Sequence, residues 1–128
     1  NLGQALANYM NFERRGFLFK GIFDKNPALY GKKIRNLEIK PMEEMESFVK
    51  QNEIDIAVLT IPKGEAAGVA EKLVQNGIRG IWNFAHVDLT VPKNIQVENV
   101  HLSDSLMKLA YNINQYESES AGTPERNP

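Results

Sequence analysis

Gly3 stands at the start of a segment with helical spacing, and Asp24 closes an apolar run 21 positions later. That pair of residue types has a specific chemistry. A dinucleotide pyrophosphate is held where a glycine-rich turn presents backbone N–H groups and the positive end of a helix dipole. An acidic side chain about 20 residues further on then meets the adenosine ribose hydroxyls. Asn1, Leu2 and Gly3 match the last three positions of such a turn, Gly3 being the glycine that lets helix and strand pack closely. An aspartate at the second strand end repels a 2′-phosphate, so the pattern favours NAD over NADP. Gly3 alone carries almost no weight, and Asp24 reads equally well as a solvated turn residue. Lys25, Lys32 and Lys33 add local positive charge, which is also the ordinary state of lysines in a polar loop.

Four further residues fall at the carboxyl edge, where open α/β sheets bind ligands: Thr60 and Pro62 close one apolar run, Asn83 and Phe84 the next. Thr60 and Asn83 can hydrogen-bond and Phe84 can pack on a ring, yet all four also read as plain strand terminators. His86 and His101 are the two histidines, and the chain has no cysteine. Their separation matches no standard metal spacing, and neither has an orienting carboxylate of known geometry, so no catalytic and no metal-ligating residue is assigned.

The elements that must position these residues alternate. Leu2, Ala5, Leu6 and Tyr9 recur with helical spacing. Phe17 to Phe23 reads as a short buried strand, followed by a polar loop through Pro27, Gly31 and Asn36, and Leu37 to Ile39 as a weak strand. Pro41 is expected at the first position of a helix that turns Met42, Met45, Phe48 and Val49 inward and ends near Asn52. Ile54 to Ile61 (IDIAVLTI) is the strongest strand signal and is assigned to the sheet centre. A helix over Glu65 to Asn76 stops at Gly77, and strands follow at Gly80 to Phe84 and Ile95 to Leu102. A last helix begins near Ser103 and carries Leu106, Leu109, Ala110 and Ile113 on one stripe, with Met107 and Tyr111 off it. Strand and helix in alternation with short connections specify an α/β fold, a doubly wound parallel sheet of Rossmann type.

The chain has 128 residues, 42% hydrophobic and 24% charged, with net charge -1. That suits one soluble domain, and the near-neutral charge gives no general field for nucleic acid. No apolar run approaches the roughly 20 residues of a membrane span. With no cysteine and no secretory signal, cytoplasmic location is the default. From Glu117 the sequence ESESAGTPERNP lacks any aliphatic residue larger than alanine, so residues 117–128 are expected to form a disordered tail and residues 1–116 the domain.

The segments NLGQALANY (1–9), FERRGF (12–17), FDKNP (23–27), DIAVLTIP (55–62), GIRGIWNFAHVDLTVP (77–92) and VENVHL (97–102), in this order and spacing, resemble the C-terminal domain of the Rex family, bacterial redox-sensing transcriptional repressors. The resemblance implies an NAD(H)-sensing domain, not an enzyme. It implies a homodimer that leaves operator DNA when NADH binds, with a winged-helix DNA-binding domain outside this chain. By position, Asn1, Leu2 and Gly3 would complete the phosphate loop, Asp24, beside Lys25, would contact the ribose, and Thr60, Pro62, Asn83 and Phe84 would line the route to the nicotinamide. Tyr9 matches a tyrosine that responds to the reduced cofactor through the partner. The terminal helix would be exchanged between subunits, which gives Leu102, Leu106, Met107, Ala110 and Tyr111 an interface.

Two features depart from the family. His101 stands where many relatives carry Asp, so a switch contact to Tyr9 would be an imidazole contact. The first strand and the front of the phosphate loop are also expected upstream of Asn1. In a doubly wound sheet that strand lies between those expected at 17–23 and 54–61, whose facing edges would otherwise lack backbone partners. The competing class is an enzyme, either a dehydrogenase or a protein of the related CoA-binding fold. A dehydrogenase normally adds a substrate domain with a placed acid or base, and a CoA binder would have less use for Asp24.

Overall fold

The computed structural model describes residues 2–9 and 16–119, so the readings for Asn1 and for residues 120–128 lie outside it. The side chains of Leu2, Tyr9 and Leu102 also lie outside the description. Helix α1 (Leu2–Tyr9) occupies the expected position. Its buried Ala7 packs with Ile34 and Ile39, and Phe19, Ile22, Leu29 and Tyr30 complete this smaller core.

Strands β1 (Ile22–Asp24), β2 (Lys33–Ile34) and β3 (Leu37–Pro41) form the first sheet, in the order β1-β3-β2. β1 is shorter than the apolar run Phe17 to Phe23 suggests. Its ladder sets the length: Ile22, Phe23 and Asp24 pair in parallel with Ile39, Lys40 and Pro41, and residues 17–21 fall outside that register. β2 and β3 are antiparallel, joined through Arg35 and Asn36 at φ 51 and 67. Two successive left-handed residues are the signature of a tight hairpin turn. This sheet is therefore mixed, and the expected polar loop contains a hairpin. Gly21 allows a close approach, since a Cβ there would lie 2.8 Å from the Phe48 ring.

Pro41 ends β3 instead of starting a helix; a 3-10 turn at Met42–Glu44 leads into α2 (Met45–Asn52), which buries Met45 and Val49. Next come β4 (Ile56–Leu59), α3 (Lys63–Gln75), β5 (Gly80–Asn83) and β6 (Gln96–Asn99). The second sheet is wholly parallel in the order β4-β5-β6. Parallel neighbours require a crossover, and α3 supplies the one between β4 and β5. Met45, Val49, Leu59, Ala70, Leu73, Ile78 and Ile81 form the main core between α2, α3 and this sheet. Each of these side chains larger than alanine contributes about 1.5–3 kcal/mol on burial.

β4 lies at the edge of its sheet rather than the centre, and Ile56 and Val58 are exposed. β1 pairs on one side with β3, β4 on one side with β5, and a cleft of about 920 Å³ is lined by both.

α4 (Leu102–Glu119) starts one residue before Ser103 and continues through the first three residues assigned to the tail. Its apolar stripe is not buried within the chain. Leu106 is 67% exposed, Leu109 56% and Ile113 50%, and Met107 and Tyr111, expected off the stripe, are equally open. The periodicity shows that the helix has an apolar face but does not say which molecule covers it. No helix among the described residues is long and apolar enough to cross a membrane.

Candidate functional site

The cleft runs along the facing segments 16–26 and 53–62 and reaches core residues such as Met45, Val49 and Leu73; its lining includes Gly3 from α1, Asp24 and Lys25 at the end of β1, and Thr60 and Pro62 just after β4. These residues lie far apart in sequence, and the fold brings them to one cleft. Asp24 sits in a built turn: its Oδ1 accepts the Asn26 N–H at 2.9 Å, and Asn26 Oδ1 accepts the Ala28 N–H at 3.1 Å. Such side-chain bonds to nearby backbone are how Asp and Asn hold turns. The Tyr30 hydroxyl donates to the Lys25 carbonyl at 3.1 Å. Partial desolvation, then the Glu43 carboxylate, then that of Asp24, raise the Tyr30 pKa.

The Lys25 ammonium pairs with the Glu65 carboxylate. Glu65 lies in the first turn of α3, its own N–H donating to the Pro62 carbonyl at 3.0 Å. An acidic residue is favoured there by the helix dipole. The sequence reading missed Glu65; its signal was an acid three residues after the proline that ends the strand.

Asn83 and Phe84 are not among the residues that line this cleft. Asn83 is fully buried, and its amide is engaged on both sides: Nδ2 donates to the Val87 carbonyl at 3.0 Å and to Asn99 Oδ1 at 2.9 Å, while Oδ1 accepts the Ala85 N–H at 3.0 Å. In this geometry Asn83 holds the loop after β5. Phe84 is buried edge-on against Trp82, centroids 4.8 Å apart. His86 and His101 follow on the segments that Asn83 ties down, with ring centroids 6.1 Å apart. Both are exposed, and no group of three or more potential metal ligands gathers among the described residues.

A parallel strand layer, a crossover helix and a cleft that extends to the carboxyl ends of β1 and β4 beside α1 define the class: a Rossmann-type α/β ligand-binding domain. The chain belongs to the CoA-binding domain family, whose model matches residues 1–87. The redox-sensing transcriptional repressor Rex of Clostridium perfringens (strain SM101) is 54% identical over 114 residues, covering 89% of this chain and 54% of that protein. The crystal structure of RSP in complex with beta-NADH superposes with TM-score 0.86 at 51% identity, covering 94% of this chain and 58% of that one. The crystal structure of RSP in complex with beta-NAD+ and operator DNA gives TM-score 0.84 at 50% identity, covering 98% and 58%. The resemblance to Rex is thus borne out across nearly all of the chain. The chain spans about half the length of the relatives it matches.

Proposed function

We propose that this chain is the NAD(H)-binding and sensing part of a redox-responsive transcriptional repressor, without turnover of its own. The observation that carries the reading is the cleft that gathers Gly3, Asp24, Lys25, Thr60 and Pro62 at the carboxyl ends of β1 and β4, where α/β sheets bind dinucleotides. The donor set fits the ligand. Backbone N–H groups at the start of α1, with Asn1, Leu2 and Gly3, would hold the pyrophosphate, and Asp24 would accept from the ribose hydroxyls. Thr60 and Pro62 would border the nicotinamide, and Asn83 and Phe84 would support that end from beneath. Bound NAD(H) supplies the redox signal, and the protein reads which form is present.

In the same reading the protein acts in the cytoplasm as a homodimer and reaches operator DNA through a segment outside this chain. The exposed apolar residues of α4, including Leu106, Met107 and Tyr111, together with Leu102 and Ala110, would pack on a second copy. Tyr9 and His101 would act in the switch between subunits. The complexes of the relative RSP with NADH and with NAD+ and operator DNA support this reading.

Titration with NADH, NAD+ and coenzyme A tests the proposal. The expected result is saturable binding of NADH, weaker or no binding of coenzyme A, and, in the protein with its DNA-binding segment, release of operator DNA on NADH addition. Binding of coenzyme A in preference to both nicotinamide cofactors would overturn it.

A further inference from the structure

We infer that Glu65 sets the preference of this site for NADH over NADPH by holding the Lys25 ammonium away from the ribose 2′ position, an inference that rests on the dinucleotide reading above. Lys25 follows Asp24, the residue proposed to meet the ribose, and both line the cleft with Glu65. A lysine at this point is the natural counter-charge for a 2′-phosphate, and on sequence alone it would soften the rejection that Asp24 imposes. The fold commits it elsewhere. Its carbonyl is fixed by the Tyr30 hydroxyl, and its ammonium is paired with Glu65 across from the first turn of α3.

The pair is exposed, with side chains 65% and 34% accessible, and exposed ion pairs add little to stability. Its consequence is local charge. Asp24, Lys25 and Glu65 together are net negative, and Glu43, close enough to act on Tyr30 along with Asp24, adds to the same field. A phosphate entering there meets carboxylates and an ammonium that is already engaged. Two ribose hydroxyls meet an acceptor. Glu65 is thus a positioning residue, acting on specificity through Lys25.

The test is a fluorescence titration of the protein with NADH and with NADPH, which share one optical signal. Glu65→Gln should raise the NADPH-to-NADH affinity ratio by about tenfold, the scale expected when a cation is released to meet a phosphate. Glu65→Asp, which keeps the charge, should stay near the parent ratio, and adding Lys25→Gln to Glu65→Gln should abolish the gain. An unchanged ratio in Glu65→Gln, equal weakening of both cofactors, or a gain that survives loss of Lys25 would overturn the inference. A parent protein that binds neither cofactor would instead overturn the dinucleotide reading, and this inference with it.

Discussion

Asn83 on β5 donates its side-chain amide to Asn99 Oδ1 on β6 at 2.9 Å, and its own main-chain carbonyl accepts the Val100 N–H at 2.9 Å. One buried residue therefore ties the end of β6 to the loop after β5, the two segments that carry His101 and His86. Removing it leaves the buried Ala85 N–H and the half-buried Val87 carbonyl short of a partner, while the exposed Asn99 amide can turn to water. Asn83→Ala should cost about 1–3 kcal/mol, the scale of a buried polar group left unsatisfied. Urea denaturation of variant and parent measures it, and a cost under about 0.5 kcal/mol, as for an ordinary surface change, would remove Asn83 from this role.

Asp24 is the next test. If its carboxylate accepts from the ribose, Asp24→Ala should weaken NADH by about tenfold or more, the loss of a charge-assisted hydrogen bond. The turn also uses Asp24 to accept the Asn26 N–H. Asp24→Asn keeps an acceptor for that turn, so it should preserve the loop and relax discrimination against NADPH. Equal NADH affinity in Asp24→Ala and parent would exclude the ribose contact.

The helix α4 makes a prediction about assembly. Leu106 and Leu109 are exposed in the chain, so Leu106→Glu with Leu109→Glu should leave the fold of residues 16–100 unchanged. The expected outcome is a shift from dimer to monomer in light scattering coupled to size exclusion. A parent that is already monomeric at high concentration would remove the interface.

Tyr30 gives a pH dependence. Its hydroxyl is held above the ordinary value of 10.0, so the folded protein keeps this proton more tightly than the unfolded chain. The contribution is complete below the ordinary value and is lost as pH rises through the raised one. Denaturation midpoints should fall as pH rises above the ordinary tyrosine value of 10.0 more steeply in the parent than in Tyr30→Phe. Parallel profiles would show that Tyr30 does not contribute.

The core makes a simpler demand. Leu59 lies on β4 beneath α3, 4% exposed, and Leu59→Ala should cost about 2–5 kcal/mol. Thermal denaturation followed by circular dichroism reads this directly.

Helix and strand type were legible wherever one face repeats: α1, α2 and α3 lie where Leu6, Val49 and Leu73 place them, and Gly77 ends α3 at φ 102. Turn chemistry was less legible. Arg35 and Asn36 sit in a polar stretch that reads as loop, and only the pairing of Ile34 with Leu37 reveals a hairpin. Strand ends also escaped, because the apolar run Phe17 to Phe23 has no internal sign that its ladder begins at Ile22.

By itself the sequence determined the α/β class and the order of the elements apart from β2, since side-chain periodicity and turn residues act locally. It also carried the resemblance to Rex in the order of its segments. Only the tertiary structure decided which strand ends share a cleft, since Asp24 and Thr60 lie on strands of different sheets and no local rule connects them. It separated Asn83 from that group by burying it and engaging its amide. It also brought Lys25 and Glu65 together across 40 positions. Charge in a sequence has sign but no direction; direction comes from the fold.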